Sequence, residues 1–283
     1  MDLDPALAAL HPLGPFFALR TAATAPARTA RTATAPATSA VPATPAAPVP
    51  PAAPATPATS TAPPPTLAQA YRTPPPLAAG ADQDPLTLRL RTVAHALRAP
   101  ETRIAASVAH QGLAARLWSV ALGCAALYGE LPDIDARLLR WDPDGSAPGD
   151  LFLTEVHARP GDAVSLAAAV LDGHLEPLSA ALRARCPVAP GLLRGNAASA
   201  LAGAARQLDG WARAHGRDDV AVRGRALTAE LLAHPLLADA ADLTGAAFRR
   251  RSCCLYYRVP QGGVCGDCCF TRPPRSSVRG LSE

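Results

Sequence analysis

Apolar residues recur at helical spacing through most of the chain after residue 84. Asp84-Pro85 has the form of an N-cap followed by proline in the first turn, and Leu86, Leu90, Val93, Ala94 and Leu97 then fall on one face. A second stretch carries Ile104, Val108, Leu117, Val120, Cys124 and Leu127, with a break expected near Gln111-Gly112. Helical spacing resumes at Leu175, Leu178 and Leu182 and stops at Cys186-Pro187. It runs again from Leu193 to Trp211, and once more from about Val220 to His234, ended by Pro235. Two short β-rich runs, 136–141 and 151–156, flank the turn-like Asp142-Pro143-Asp144-Gly145 and predict one hairpin. The expected fold is mostly α: a helical domain with one small β-hairpin insertion and a cysteine-rich loop at its end.

The first part of the chain reads differently. Leu7, Leu10, Leu13, Phe16, Phe17 and Leu19 form a small apolar block, expected to pack back onto the main domain. Of the 31 prolines in 283 residues, 18 precede Leu77. Residues 21–83 are dominated by Ala, Pro and Thr, with too few bulky side chains to offset the entropy of ordering them. They read as a disordered linker, locally extended. A proline-rich docking peptide is the other reading, although its prolines are irregularly spaced and lack a basic anchor.

Charge narrows the classes of function. All 27 basic residues are arginine and the net charge is +4, mild for a nucleic-acid binder, which concentrates charge on one face. No run of eighteen apolar residues offers a membrane span. Met1-Asp2-Leu3-Asp4-Pro5 is acidic where a secretory signal is basic, so a cytoplasmic protein is expected. In a reducing compartment seven cysteines read as metal or redox groups rather than disulfides.

Five of those seven fall within residues 253–269. Cys253 and Cys254 are adjacent, and ten residues later comes Cys265-Gly266-Asp267-Cys268, followed at once by Cys269. Four thiolates suit a [2Fe–2S] cluster or a zinc ion, since soft ligands select these over hard cations. Pro260 and Gly262-Gly263 are suited to reversing the chain between the two pairs, and Gly266 to letting backbone approach the sulfurs. Zinc sites favour two spaced chelates, whereas neighbouring side chains diverge in extended backbone. A dithiol of the thioredoxin kind would use only Cys265 and Cys268. Spacing alone leaves all three open.

The pattern Cys253-Cys254-x10-Cys265-x2-Cys268 resembles the terminal motif of the FhuF-like ferric-siderophore reductases. Looser similarity extends over Ala105-Ala106-Ser107, Gln111 to Ser119, Arg194 to Leu201, and Leu13-Gly14-Pro15-Phe16-Phe17. The resemblance implies a cytoplasmic protein whose [2Fe–2S] cluster is ligated by Cys253, Cys254, Cys265 and Cys268, with Cys269 unassigned. It also implies one-electron reduction of a ferric siderophore, most readily of the hydroxamate type, to release Fe(II). The electron would come from an external donor such as a ferredoxin or flavin reductase, because no Gly-x-Gly-x-x-Gly or phosphate loop is present. The siderophore is expected on a concave surface of the helical region. Arg249, Arg250, Arg251 and Arg258 are candidates to stabilise the cluster's negative charge and its reduced form, or to attract an acidic electron-donor protein; solvated arginines are the other reading. The rivals are a non-enzymatic siderophore- or partner-binding module with structural zinc, and a fragment of a siderophore synthetase.

The expected division is therefore an apolar segment at 1–20, linker at 21–83, helical domain at 84–244, cluster-binding motif at 245–272 and flexible tail at 273–283. His110, His157, His174 and His234 lack metal-ligand spacing and read as structural. Cys124 reads as a core residue and Cys186 as structural at a helix end; Asn196 reads as a partner for a neighbouring backbone group, with a substrate contact in a groove as the alternative, and Asp142 and Asp144 as turn formers.

Overall fold

The computed structural model describes residues 3–21, 63–72, 84–244 and 247–274. Its centre is α4, Thr102–Tyr128, with nineteen of its 27 residues buried. A helix apolar on every side belongs in the middle of a core. It packs most extensively on α7, Pro190–Ala214, and also against α3, Pro85–Leu97, and α8, Asp218–Leu232. Small residues set these approaches: a Cβ on Gly224 would stand 2.9 Å from Leu208 Cδ2. The Asp84 side chain accepts from Thr87 N (2.9 Å) and caps α3. No helix among the described residues is long and apolar enough to cross a membrane.

The break expected at Gln111-Gly112 does not occur; α4 runs through it. A mid-helix glycine costs about 1 kcal/mol, which burial along the helix outweighs. The earlier leucine pattern begins at α5, Ala163–Leu166, winds through a π-helical turn at Ala167–Leu175, and continues as α6, Glu176–Arg185.

The predicted hairpin is β3, Leu139–Trp141, with β4, Leu151–Leu153, in register Leu139↔Leu153 and Trp141↔Leu151. Three pairings were not foreseen. β1, Arg20–Thr21, adds to β4 in parallel; β2, Glu130–Pro132, pairs with β5, Ala158–Pro160; and β6, Ala241–Thr244, pairs with β7, Ala247–Arg250. Strands of two to four residues carry too little pattern to be read.

The opening segment, with α1 at Leu3–Ala8, lies against the main core. Leu7, Leu10, Leu13, Phe17 and Leu19 are buried, whereas Phe16 is exposed. Phe17 meets Gly123 so closely that a Cβ there would lie 2.8 Å from its ring. Arg116, buried on α4, donates to the carbonyls of Pro15 and Phe16 and pairs with Asp150 (2.9 Å).

The reading of 21–83 as a continuous linker needs correction. Thr66 caps a short helix, α2 at Leu67–Ala70, with a reciprocal Thr66–Gln69 capping box, and Leu67 and Ala70 are fully buried. Thr66 also bridges to Arg140 on β3. Composition hid this because the apolar anchors are few. Residues 22–62, 73–83, 245–246 and 275–283 lie outside the described residues, as do those parts of the expected linker and tail.

Candidate metal centre

The loop after β7 begins with Arg251 and carries five free cysteines. Cys254 is buried and the other four are half-buried. Leu255 follows in the left-handed region, φ 66°, and a single 3₁₀ turn, Tyr256–Arg258, reverses the chain. Cys254 Sγ and Cys265 Sγ lie 3.6 Å apart. Two thiolates on one tetrahedral metal, with bonds of about 2.3 Å, span about 3.8 Å.

The second half of the loop is a tight turn, closed by Cys268 N donating to Cys265 O (3.1 Å). The glycine that the loop requires is Gly262, where a Cβ would stand 2.2 Å from Tyr256 O and 2.6 Å from Val259 Cγ2. The role expected of Gly266 is not seen, since a Cβ there meets nothing within 4 Å.

Amides point at the sulfurs. Leu255 N donates to Cys253 Sγ (3.2 Å) and Phe270 N to Cys268 Sγ (3.4 Å). Hydrogen bonds from Cys253 and Cys265, with the positive charge of Arg250, pull the Cys254 thiol strongly down. Its two neighbours are pushed up, Cys253 and Cys265 alike, by giving those hydrogen bonds and by desolvation.

The base of the loop is polar. Ser107 Oγ on α4 donates to Cys254 O (2.7 Å), and Asn196 Nδ2 on α7 donates to Ser107 O (2.8 Å) and Oγ (3.1 Å). Asp267, inside the Cys-x-x-Cys turn, accepts from Ser199 Oγ (2.7 Å) and pairs with Arg206 (3.0 Å). Arg258 pairs with Glu101 at the start of α4 (3.0 Å). Sequence reasoning singled out Asn196 but missed Ser107, Asp267 and Glu101. The lone acid between Cys265 and Cys268 was the available signal.

Among the described residues no three His, Cys, Asp or Glu side chains converge as a single-ion site. The one thiol pair in contact among these residues, Cys254 and Cys265, joins the two halves of the loop, and a cluster of two irons takes four thiolates. Two buried polar atoms beside the loop also lack partners, Ser252 Oγ and Arg250 Nε. Soft paired donors, inward amides and spare donors at the base fit an anionic iron–sulfur group.

Residues 250–270 match the family model described as the FhuF 2Fe-2S C-terminal domain. The chain carries a FhuF-type iron–sulfur domain. Its cofactor is a [2Fe–2S] cluster. The matched segment contains all five clustered cysteines and Arg250, while the helical part lies outside it. No curated protein matches the chain.

The remaining candidates lie elsewhere. His174 Nε2 donates to Ile134 O (2.5 Å) and Nδ1 accepts from Tyr71 OH (2.8 Å); His110 Nε2 contacts Ser179 Oγ (3.2 Å). Cys124 and Cys186 are core residues. Asp142 and Asp144 shape the hairpin turn, with Asp144 N donating to Asp142 Oδ1 (3.0 Å). Cavities of about 420 and 400 Å³ open beside α5 and the π-helical turn, neither lined by the FhuF-type loop.

Proposed function

We propose that this protein is a cytoplasmic ferric-siderophore reductase in which Cys253, Cys254, Cys265 and Cys268 ligate the [2Fe–2S] cluster. The observation carrying this reading is the FhuF-type match over a loop whose thiols are paired and whose base is pinned to α4 and α7. When bound, the cluster supplies one-electron transfer. The substrate is Fe(III) held by hard oxygen donors, a hydroxamate siderophore in the first instance. One electron converts it to Fe(II), which those donors bind far more weakly.

The chain contributes position and exposure. Cys254 sits deepest, its carbonyl held by Ser107. Cys253, Cys265 and Cys268 are half-buried and leave one side of the site near solvent. Tyr256, Val264 and Phe270, each 38–40% exposed, lie in the same loop and offer apolar surface to a docking partner. An external electron donor, a ferredoxin or flavin reductase, completes the cycle.

The test starts with anaerobically purified protein, expected to contain two irons and two acid-labile sulfides per chain. Reduced chemically and mixed with a ferric hydroxamate siderophore and a ferrous chelator, it should re-oxidise and yield one trapped Fe(II) per cluster. A cluster that re-oxidises in air but stays reduced with several ferric siderophores would remove the reductase reading. Stoichiometric zinc would favour a binding module.

A further inference from the structure

Four arginines flank the cysteines, and the fold treats one unlike the rest. Arg251 is half exposed and pairs with Asp242 (2.7 Å) and Asp239. Arg258 pairs with Glu101, and Arg249 donates to Cys269 O from an exposed position. Arg250, at the end of β7, is 1% exposed. Its Nη1 donates to Gln111 Oε1 (3.1 Å), and its Nη2 to Asn196 Oδ1 (2.5 Å) and Leu192 O (3.3 Å). Each of these partners is neutral, and Nε has none among the described residues.

A guanidinium held dry among neutral groups is costly unless negative charge lies near it. The fold has built a seat for it nonetheless. Gly195 leaves the room: a Cβ there would lie 3.1 Å from Arg250 Nη2 and 2.1 Å from Ser252 Oγ. Asn196 uses both ends of its amide, one on Arg250 and the other on Ser107, which holds the Cys254 carbonyl. Arg250 N also donates to Asp267 O (3.0 Å), tying the strand to the Cys265–Cys268 turn.

We propose that Arg250 is the buried counter-charge of the iron–sulfur cluster, a fixed cation that favours its reduced, more negative state and so raises its reduction potential. Gln111, Gly195 and Asn196 are the residues that seat it. The proposal rests on the reading that the loop holds a [2Fe–2S] cluster. Arg250 acts here as a tuning residue and touches no substrate. Burial is what sets it apart, because exposed arginines are screened by water and salt whereas this one is not.

The experiment compares wild type with Arg250→Gln, Arg250→Lys, Gln111→Glu and Arg251→Gln. Iron and sulfide are counted first, and the midpoint potential is then read by mediated titration of the visible and paramagnetic signals. Arg250→Gln should lower the reduced-to-oxidised ratio at a fixed potential by about tenfold or more, 59 mV for one electron. Arg250→Lys, which keeps the charge, should stay closer to wild type. Gln111→Glu places a carboxylate against Nη1 at almost unchanged shape, should shift the ratio the same way, and decides the matter if Arg250→Gln does not load. Arg251→Gln should leave the potential unchanged. Loaded Arg250→Gln or Gln111→Glu within about twofold of wild type, or an equal shift in Arg251→Gln, overturns the proposal while leaving the cluster intact. Wild-type protein holding zinc instead overturns the cluster reading and this proposal with it.

Discussion

Among the five thiols of the loop, Cys268 and Cys269 are adjacent in the chain, so ligand identity turns on one position. Four thiolates complete the cluster, leaving one spare. Cys269→Ser is expected to keep iron content and spectrum near wild type, whereas Ser at Cys253, Cys254, Cys265 or Cys268 should bleach the protein or shift its spectrum. The Cys268→Ser/Cys269→Ser double variant checks for a swap between neighbours. Bleaching by Cys269→Ser alone would reverse the assignment. The histidines make a second prediction. Burial lowers His174 to about 4 and His110 to about 3, while unfolded histidine titrates near 6.5. The folded state therefore refuses protons that the unfolded chain accepts below pH 6.5. Stability from these groups is complete above that pH and declines as pH falls toward 4, by about 3 kcal/mol for His174. Urea unfolding at pH 7, 6 and 5 should show a shallower decline in His174→Gln; an equal slope would mean His174 does not report this proton. The cysteines were legible in the sequence because their spacing is itself the signal. The four arginines were not separable, because Arg250 differs from Arg249 only in which way its strand turns it.

Elements were legible in proportion to their length. The α4 and α7 patterns extend over many turns, so their existence was clear and only an interior break at Gly112 was misjudged. The hairpin of β3 and β4 announced itself through Asp142-Pro143-Asp144-Gly145. The pairing of β1 with β4 joins residues 132 positions apart (Arg20↔Phe152), and local pattern holds no trace of such a contact. The cysteine loop is the sharpest case: Leu255 turns the chain in the left-handed region, and leucine gives no hint of it. Gly262 and Gly266 look alike in sequence but differ in space. Gly262→Ala drives a methyl into Tyr256 O, so iron content and visible absorbance should fall sharply; Gly266→Ala opens onto free space and should retain both. Equal loss in the two variants would show that the loop needs flexibility rather than room.

The main body is held across its elements by a buried ion pair as well as by apolar packing. Arg116 on α4 reaches Asp150 before β4 and the carbonyls of Pro15 and Phe16, so one guanidinium ties helix, hairpin and opening segment together. Asp150→Asn strands that charge and should cost about 3–5 kcal/mol in chemical denaturation; a loss below about 1 kcal/mol, the value of a surface pair, would contradict this. The short sheet carries a geometric consequence of its own. β1 lies on one edge of β4-β3, and Thr66 bridges to β3 on the other edge. Three strand spacings put these two points about 14 Å apart, a gap that about five extended residues would cross. The chain between them, residues 22–62, is several times longer than that task demands. Its length is therefore a free variable of the architecture, and a short Gly/Ser bridge in its place should tighten loop closure by about 1 kcal/mol, seen as a modest rise in melting temperature with the cluster retained.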